Sequence, residues 1–76
     1  MKTTYGVFEH AYPTIARWVH AGGWVAIGAD DSRSSFVRAW DAGGLIWEGE
    51  PQYATLEDAL QALEHGIRAW IAEHGL

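Results

Sequence analysis

The stretch that decides the fold is residues 55–74, which read TLEDALQALEHGIRAWIAEH. Apolar side chains recur there every three or four positions and predict one face of a long helix: Leu56, Leu60, Leu63, Ile67, Trp70 and Ile71. Thr55 stands three residues before Asp58, a capping-box pattern with Asp in place of the usual Glu. Gly66 interrupts the helix at a cost of about 1 kcal/mol relative to Ala, which a close approach to a sheet would explain. Charged residues such as Glu64 are predicted to occupy the other faces.

Three strands and a shorter helix are predicted before this long helix. Pro13 suits the first position of the short helix, and Gly22-Gly23 ends it. The strands are separated by polar or glycine-rich turns and span residues 24–29, 35–40 and 45–48. The predicted fold class is α+β in the order α-β-β-β-α, a three-stranded antiparallel meander packed against the amphipathic C-terminal helix. Residues 1–76 are long enough for a single domain.

The second hairpin suggests which residues share a sheet face. If residues 41–44 form a four-residue loop, Trp40 faces Leu45 and Arg38 faces Trp47. Arg38 would then lie among aromatic rings, either as packing paired with an acidic residue or as the anchor of an interface. The predicted binding residues, for a protein partner or for a small ligand stacked on an aromatic platform, are Phe36, Arg38, Trp40 and Trp47.

The first strand is predicted to be an edge that carries no charge. Native proteins normally protect such edges, and this one is suited to pairing with a two-fold copy of itself. The sequence therefore predicts a homodimer with a continuous six-stranded sheet, paired through Trp24, Val25, Ala26 and Ile27. The alternative is that residues 5–8 add a fourth strand on that edge; residues 1–10 could also lie over the core or fray.

The composition restricts the class of partner. Ten acidic and five scattered basic residues give a net charge of −5, which argues against direct contact with nucleic acid and favours a basic protein partner. No apolar run approaches the roughly 20 residues of a membrane span, and residues 1–10 lack the apolar core of a signal peptide. The absence of cysteine fits a reducing compartment, so a cytoplasmic location without membrane contact is expected.

No pattern in the sequence predicts catalysis, a metal or a cofactor. Three Glu-His dipeptides occur, but neighbouring side chains on a helix diverge, whereas helical metal sites use ligands three or four residues apart. The polar segment 30–35 lacks the spacing of a calcium loop and the histidine partner of a nucleophile, so it is interpreted as a turn. We therefore expect a protein without catalytic residues, bound metal or cofactor.

Two motifs carry a resemblance to a known family. From Trp24 to about Glu73 the chain resembles HicB-type antitoxins, which have strands, a D-x-x-G-like turn and a helix opening on T-L-E-E-A-L. The matching stretches are Asp41-Ala42-Gly43-Gly44 and Thr55-Leu56-Glu57-Asp58-Ala59-Leu60. The Pro-Gly-Cys element of that turn and a DNA-binding tail are absent, and residues 50–54 and the first helix are additional. The resemblance implies a non-catalytic domain that binds a basic partner and self-associates.

Double-stranded RNA-binding domains share the α-β-β-β-α order. The resemblance stops at topology, because the start of the long helix, Thr55-Leu56-Glu57-Asp58, is acidic where that family is basic.

Overall fold

The computed structural model describes residues 8–29 and 35–75. Its elements are α1 (Pro13–His20), β1 (Trp24–Ile27), β2 (Val37–Asp41), β3 (Gly44–Glu48) and α2 (Leu56–His74). The strands form one antiparallel sheet in the order β1-β2-β3. The predicted α+β class, the element order and the three-stranded meander are therefore confirmed.

Two predictions concern the parts of the chain outside this description. Residues 8–11 are helical, so Phe8 is not in a strand, while the rest of the suggested N-terminal strand lies outside the described residues. The predicted polar turn at residues 30–34 also lies outside them.

The core lies between the two helices and one face of the sheet. Helix α2 packs against β2 and β3, and α1 packs against both α2 and β1. Leu63 and Ile67 of α2 and Val37 of β2 are fully buried. Burying a side chain of this size contributes roughly 1.5–3 kcal/mol, so these residues provide much of the stability of a small domain.

The buried face of α2 differs from the predicted face at its first turn, and α1 also leaves a large apolar residue exposed. Leu56 of α2 is 58% exposed, although it was expected to be covered, and Val19 of α1 is 46% exposed. Ala59 and Ala16 are buried instead. In each helix an alanine is therefore buried at a position three residues from a larger apolar residue that remains in solvent.

A β-bulge changes the register that the sequence predicts for the second hairpin. Trp40 faces Leu45 as expected, but Ala39 pairs with Trp47 and Arg38 with Glu48. The extra residue at the bulge is Ile46, and it shifts the pairing of Trp47 and Glu48 with β2 by one position. The shift brings both Ile46 and Trp47 against the core, so the bulge increases the apolar surface that the sheet offers to α2.

The close approach predicted from Gly66 is present. A Cβ atom at this position would lie 2.2 Å from Cε2 of Trp47, which no real side chain tolerates. The indole of Trp47 therefore packs directly on the backbone of α2, and glycine is required there. The lost helix propensity is offset by contact between the largest side chain of β3 and the helix.

The first helix ends as its glycines predict. Gly22 has φ +102°, its N–H donates to the carbonyl of Val19 at 3.1 Å, and the Gly23 N–H donates to the carbonyl of Trp18 at 2.9 Å. This pair of bonds is a Schellman motif, which satisfies carbonyls that the helix itself leaves open.

Candidate functional site

The predicted aromatic platform is divided between the two faces of the sheet. Trp47 pairs with Ala39 and packs on Gly66, so it belongs to the face that α2 covers. Arg38 is adjacent to Ala39 along β2 and therefore belongs to the opposite face. The prediction that Arg38 and Trp47 face each other is wrong, because the bulge places the side chain of Trp47 on the opposite face of the sheet from Arg38. Whether either residue contacts a partner stays a prediction.

The remaining platform residues are largely engaged within the domain. Arg38 is only 5% exposed, its guanidinium lies 5.9 Å from the ring centroid of Trp40, and it donates to the carbonyl of Ser35. Phe36 meets Tyr53 edge-on with ring centroids 6.3 Å apart. These contacts favour the packing interpretation of Arg38 over that of an open interface anchor.

The predicted dimer strand lies at an edge of the described sheet. Within β1, Trp24 is 58% and Ile27 is 41% exposed, whereas Val25 and Ala26 are partly covered. The N–H of Gly28 donates to the carbonyl of Phe36, the residue before β2, and antiparallel strands alternate, so the backbone groups of Ala26 point to β2. The N–H and C=O groups of Val25 and Ile27 point away from it.

A buried carboxylate links the two helices. Glu64 is 3% exposed, and its oxygens accept the backbone N–H groups of Thr14 and Ile15, each at 2.9 Å. Arg68, one turn further along α2, donates to the same carboxylate at 2.8 Å. The expectation that Glu64 occupies a polar outer face is therefore wrong.

The contacts of Glu64 hold it in the ionised state. Burial is the largest single influence and raises the pKa of its carboxyl, but the hydrogen bonds from the Ile15 and Thr14 backbone N–H groups, the Thr14 hydroxyl and Arg68 together outweigh it. The net pKa lies below the ordinary value of 4.5. A carboxylate that is fully engaged and acidic is suited to holding a helix in place and poorly suited to proton transfer near neutral pH.

An open pocket of about 360 Å³ lies where α1, the β2–β3 turn and the end of α2 meet. A space of this size is at the small end of ligand-binding sites in proteins. Its lining comes from three separate parts of the chain: Trp18, Ala21, Gly22, Gly23, Asp41, Ala42, Gly43, Trp70 and Gly75.

Two indole rings form the apolar part of this end pocket. The Trp18 and Trp70 ring centroids are 5.5 Å apart with an interplanar angle of 78°, an edge-to-face contact. Trp18 donates its Nε1–H to the carbonyl of Trp40 at 3.1 Å, so its ring is fixed to β2. His74 stacks on Trp70 with centroids 4.4 Å apart. The aromatic part of the pocket is therefore held rigidly by both helices and the sheet.

The polar part of the end pocket is built around one carboxylate and two helix ends. Asp41 is the ionisable side chain among the described lining residues, and its Oδ1 accepts the N–H of Gly43 at 2.8 Å. The C-terminal ends of both helices, at Ala21–Gly22 and Gly75, also line the space. A helix carries a partial negative charge at its C-terminus, so all three sources favour a cation and disfavour an anion.

Sequence reasoning did not find this pocket. Its residues are contributed by segments that are about 20 to 30 positions apart, and no local spacing unites them. The available signal was the presence of two glycine pairs, Gly22-Gly23 and Gly43-Gly44, in a chain rich in Trp. Glycines leave space for a pocket, but only the fold shows that Gly22, Gly23 and Gly43 line the same pocket as the two indole rings.

Two of the four histidines in the described chain, His20 and His74, have local contacts. His20 lies 3.5 Å from a carboxylate oxygen of Glu9, and Nδ1 of His74 lies 3.1 Å from the carbonyl of Trp70. Over residues 8–29 and 35–75, no three His, Asp or Glu side chains come together as a metal site would require.

Comparison with known proteins adds no assignment. The chain has no significant match to a family model, a curated protein or a solved structure. In the described part of the chain, neither helix combines the length and the apolar character needed to cross a bilayer.

Proposed function

We propose that this chain is a small non-catalytic interaction domain that acts in the cytoplasm and binds a basic protein partner. An antitoxin-like regulatory role is the form of this function that the resemblance to HicB-type antitoxins implies. The observation that carries the proposal is a difference in exposure: in the described structure the acidic side chains are mostly exposed, whereas most of the basic ones contact other parts of the domain.

Two of the three arginines in the described part of the chain are engaged within the domain. Arg38 is buried and Arg68 pairs with the buried Glu64, whereas Arg17 is exposed. Most acidic side chains of residues 8–29 and 35–75 are exposed, and four of these lie between the end of β3 and the first turn of α2: Glu48, Glu50, Glu57 and Asp58. Such a surface attracts a basic partner and repels nucleic acid.

The experiment begins by capturing binders on the tagged chain and ends with purified components. A captured protein is purified and titrated against the wild type and against a variant carrying Glu48→Gln, Glu50→Gln, Glu57→Gln and Asp58→Asn. The expected result is one-to-one binding of a basic protein that weakens with salt and weakens at least ten-fold in the variant.

The matched control removes a charge elsewhere. Glu73→Gln lies on an exposed position near the other end of α2 and should change the affinity little. Binding only to neutral or acidic proteins, or binding that neither salt nor the four substitutions affect, would contradict the proposal.

We also propose that two copies of the domain pair through β1. The support is the exposure of Trp24 and Ile27 and the outward direction of the Val25 and Ile27 backbone groups. Pairing of two such strands about a two-fold axis would satisfy these groups and cover the indole of Trp24.

The dimer is tested by light scattering at micromolar concentration. Ile27→Pro removes an outward backbone donor and should give a folded monomer, because Pro is tolerated at an edge whose N–H faces away from the sheet. Ala26→Pro is not suitable for this purpose, since its N–H points to β2 and its loss would weaken the sheet itself. A monomeric wild type, or a dimer that Ile27→Pro leaves intact, would overturn this part of the proposal.

The alternative function, a small-ligand binder with an aromatic platform on the sheet, has weaker support. It requires Arg38 and Trp47 to share an open face, and they lie on opposite faces. The aromatic site that the fold does offer is the end pocket.

A further inference from the structure

We propose that the end pocket is a binding site for one organic cation, the side chain of an arginine or lysine of the basic partner. This inference rests on the proposed function and adds to it a location and a chemical group.

The lining of the pocket favours a cation over an anion. A carboxylate and two helix C-termini surround the same space, and no described lining side chain is cationic. A carboxylate or phosphate would meet three repulsive contributions there, whereas an ammonium or guanidinium group would meet three attractive ones.

The indole rings add selection for an organic cation over a hydrated metal ion. The half-buried Trp70 offers aromatic surface to the methylene stem and the charged head of a long basic side chain, and Trp18, which is 3% exposed, supports it by edge-to-face contact. A small inorganic cation needs several oxygen ligands and gains little from such walls. The volume of about 360 Å³ accommodates one such side chain.

The pocket is preorganised, which reduces the entropic cost of binding. Trp18 is held by its hydrogen bond to the Trp40 carbonyl, and a Cβ at Gly23 would clash with its indole at 2.3 Å. Asp41 is oriented by the Gly43 N–H. The groups that would contact the cation are therefore in place before it arrives.

The test uses Nα-acetyl-arginine amide and Nα-acetyl-lysine amide as probes in an NMR titration of the full chain. The readouts are the indole N–H signals of Trp18 and Trp70 and the backbone amide of Gly43. Saturable shifts confined to these signals are expected, with a dissociation constant on the order of 1 mM for a single side chain. Nα-acetyl-citrulline amide, which has nearly the same shape without the charge, should cause no saturable shifts.

The matched variants are Asp41→Asn and Glu73→Gln. Each removes one negative charge, but only Asp41 lines the pocket, and Asn retains an oxygen that can accept from Gly43. Asp41→Asn should weaken probe binding about ten-fold, whereas Glu73→Gln should not change it. Equal effects of the two variants, or equal binding of the citrulline probe, would overturn the proposal.

Measuring how the purified basic partner binds the wild type and Asp41→Asn distinguishes a failure of this inference from a failure of the proposed function. If Asp41→Asn weakens partner binding about ten-fold, the pocket holds a side chain of the partner. If the partner binds both forms equally, the partner-anchoring role of the pocket is wrong while the proposed function stands. If the probes bind as expected but no basic protein does, the proposed function fails and so does the assignment of the cation to a protein partner.

Discussion

The two helices begin in opposite ways. Helix α2 is capped by its neighbour in sequence, because the Thr55 hydroxyl accepts the N–H of Asp58 at 3.0 Å. Helix α1 follows Tyr12, whose side chain makes no cap hydrogen bond, and its first N–H groups bind Glu64, 50 residues further along the chain. One helix start is therefore encoded locally, and the other exists only when α1 and α2 are packed together.

The difference affects how the domain holds together. A local cap stabilises its helix whether or not the rest of the chain is folded, so it contributes to helix formation early. A remote cap, here the Glu64 carboxylate that accepts the Thr14 and Ile15 N–H groups, contributes only in the folded state. It couples the position of α1 to that of α2. The remote cap is also stronger per contact, since its acceptor is a buried carboxylate rather than an exposed hydroxyl.

The largest loss of stability is expected from a substitution in the core beside Glu64. Leu63→Ala deletes a fully buried side chain next to Glu64 and should lower the free energy of unfolding by about 2–5 kcal/mol. Leu56→Ala is the matched control, because Leu56 is on the same helix and 58% exposed. Urea denaturation measures both; similar losses in the two variants would show that α2 does not form the core.

The remote cap itself should have the next largest effect. Glu64→Ala leaves the Thr14 and Ile15 N–H groups without their carboxylate and should cost about 2–4 kcal/mol. Glu64→Gln retains the shape and one oxygen acceptor, so its loss should be smaller. Unfolding free energies equal to wild type in both variants would mean that the carboxylate does not hold α1.

The pH dependence of stability isolates the charge of Glu64. A carboxyl whose pKa is lower in the folded chain stabilises it above the ordinary pKa of 4.5, and this contribution is lost as the pH falls below that value. The difference in unfolding free energy between wild type and Glu64→Gln should therefore be constant near neutral pH and shrink on acidification below 4.5. A difference that does not change with pH would exclude this linkage.

The local cap should have a smaller effect. Thr55→Ala removes the hydroxyl that accepts the Asp58 N–H and should cost about 1 kcal/mol. Thr55→Ser preserves the acceptor and should restore most of the loss. Thermal unfolding of the two variants gives the comparison, and a Thr55→Ala loss larger than that of Glu64→Ala would reverse the ranking of local and remote caps.

The smallest effect is expected at the outer partner of the remote cap. Arg68 donates to Glu64, but its side chain is 57% exposed and therefore screened by solvent. Arg68→Ala should cost less than about 1 kcal/mol, and the loss should decrease at high salt. A cost comparable to that of Glu64→Ala would indicate that the ion pair, rather than the backbone hydrogen bonds, secures the two helices.

Much of the fold could be predicted because its signals are local. The capping motif at Thr55, the glycine terminator at Gly22 and the requirement for a close approach at Gly66 each involve neighbouring residues or a single position. The bulge at Ile46 could not be predicted, because it depends on how much apolar surface the sheet must offer to α2. That one residue is the reason Trp47 lies on the opposite face of the sheet from Arg38.

The sequence by itself determined which segments are helices and strands, their order, and where α2 begins and α1 ends, because short-range hydrogen bonds and periodic burial set these features. Only the tertiary structure decided that Glu64 caps α1, that Trp47 lies under α2, and that Trp18, Asp41 and Trp70 surround one pocket. Each of these depends on groups that meet across the core. Their positions are set by packing, in which a shift of one residue in register exchanges the two faces of a strand.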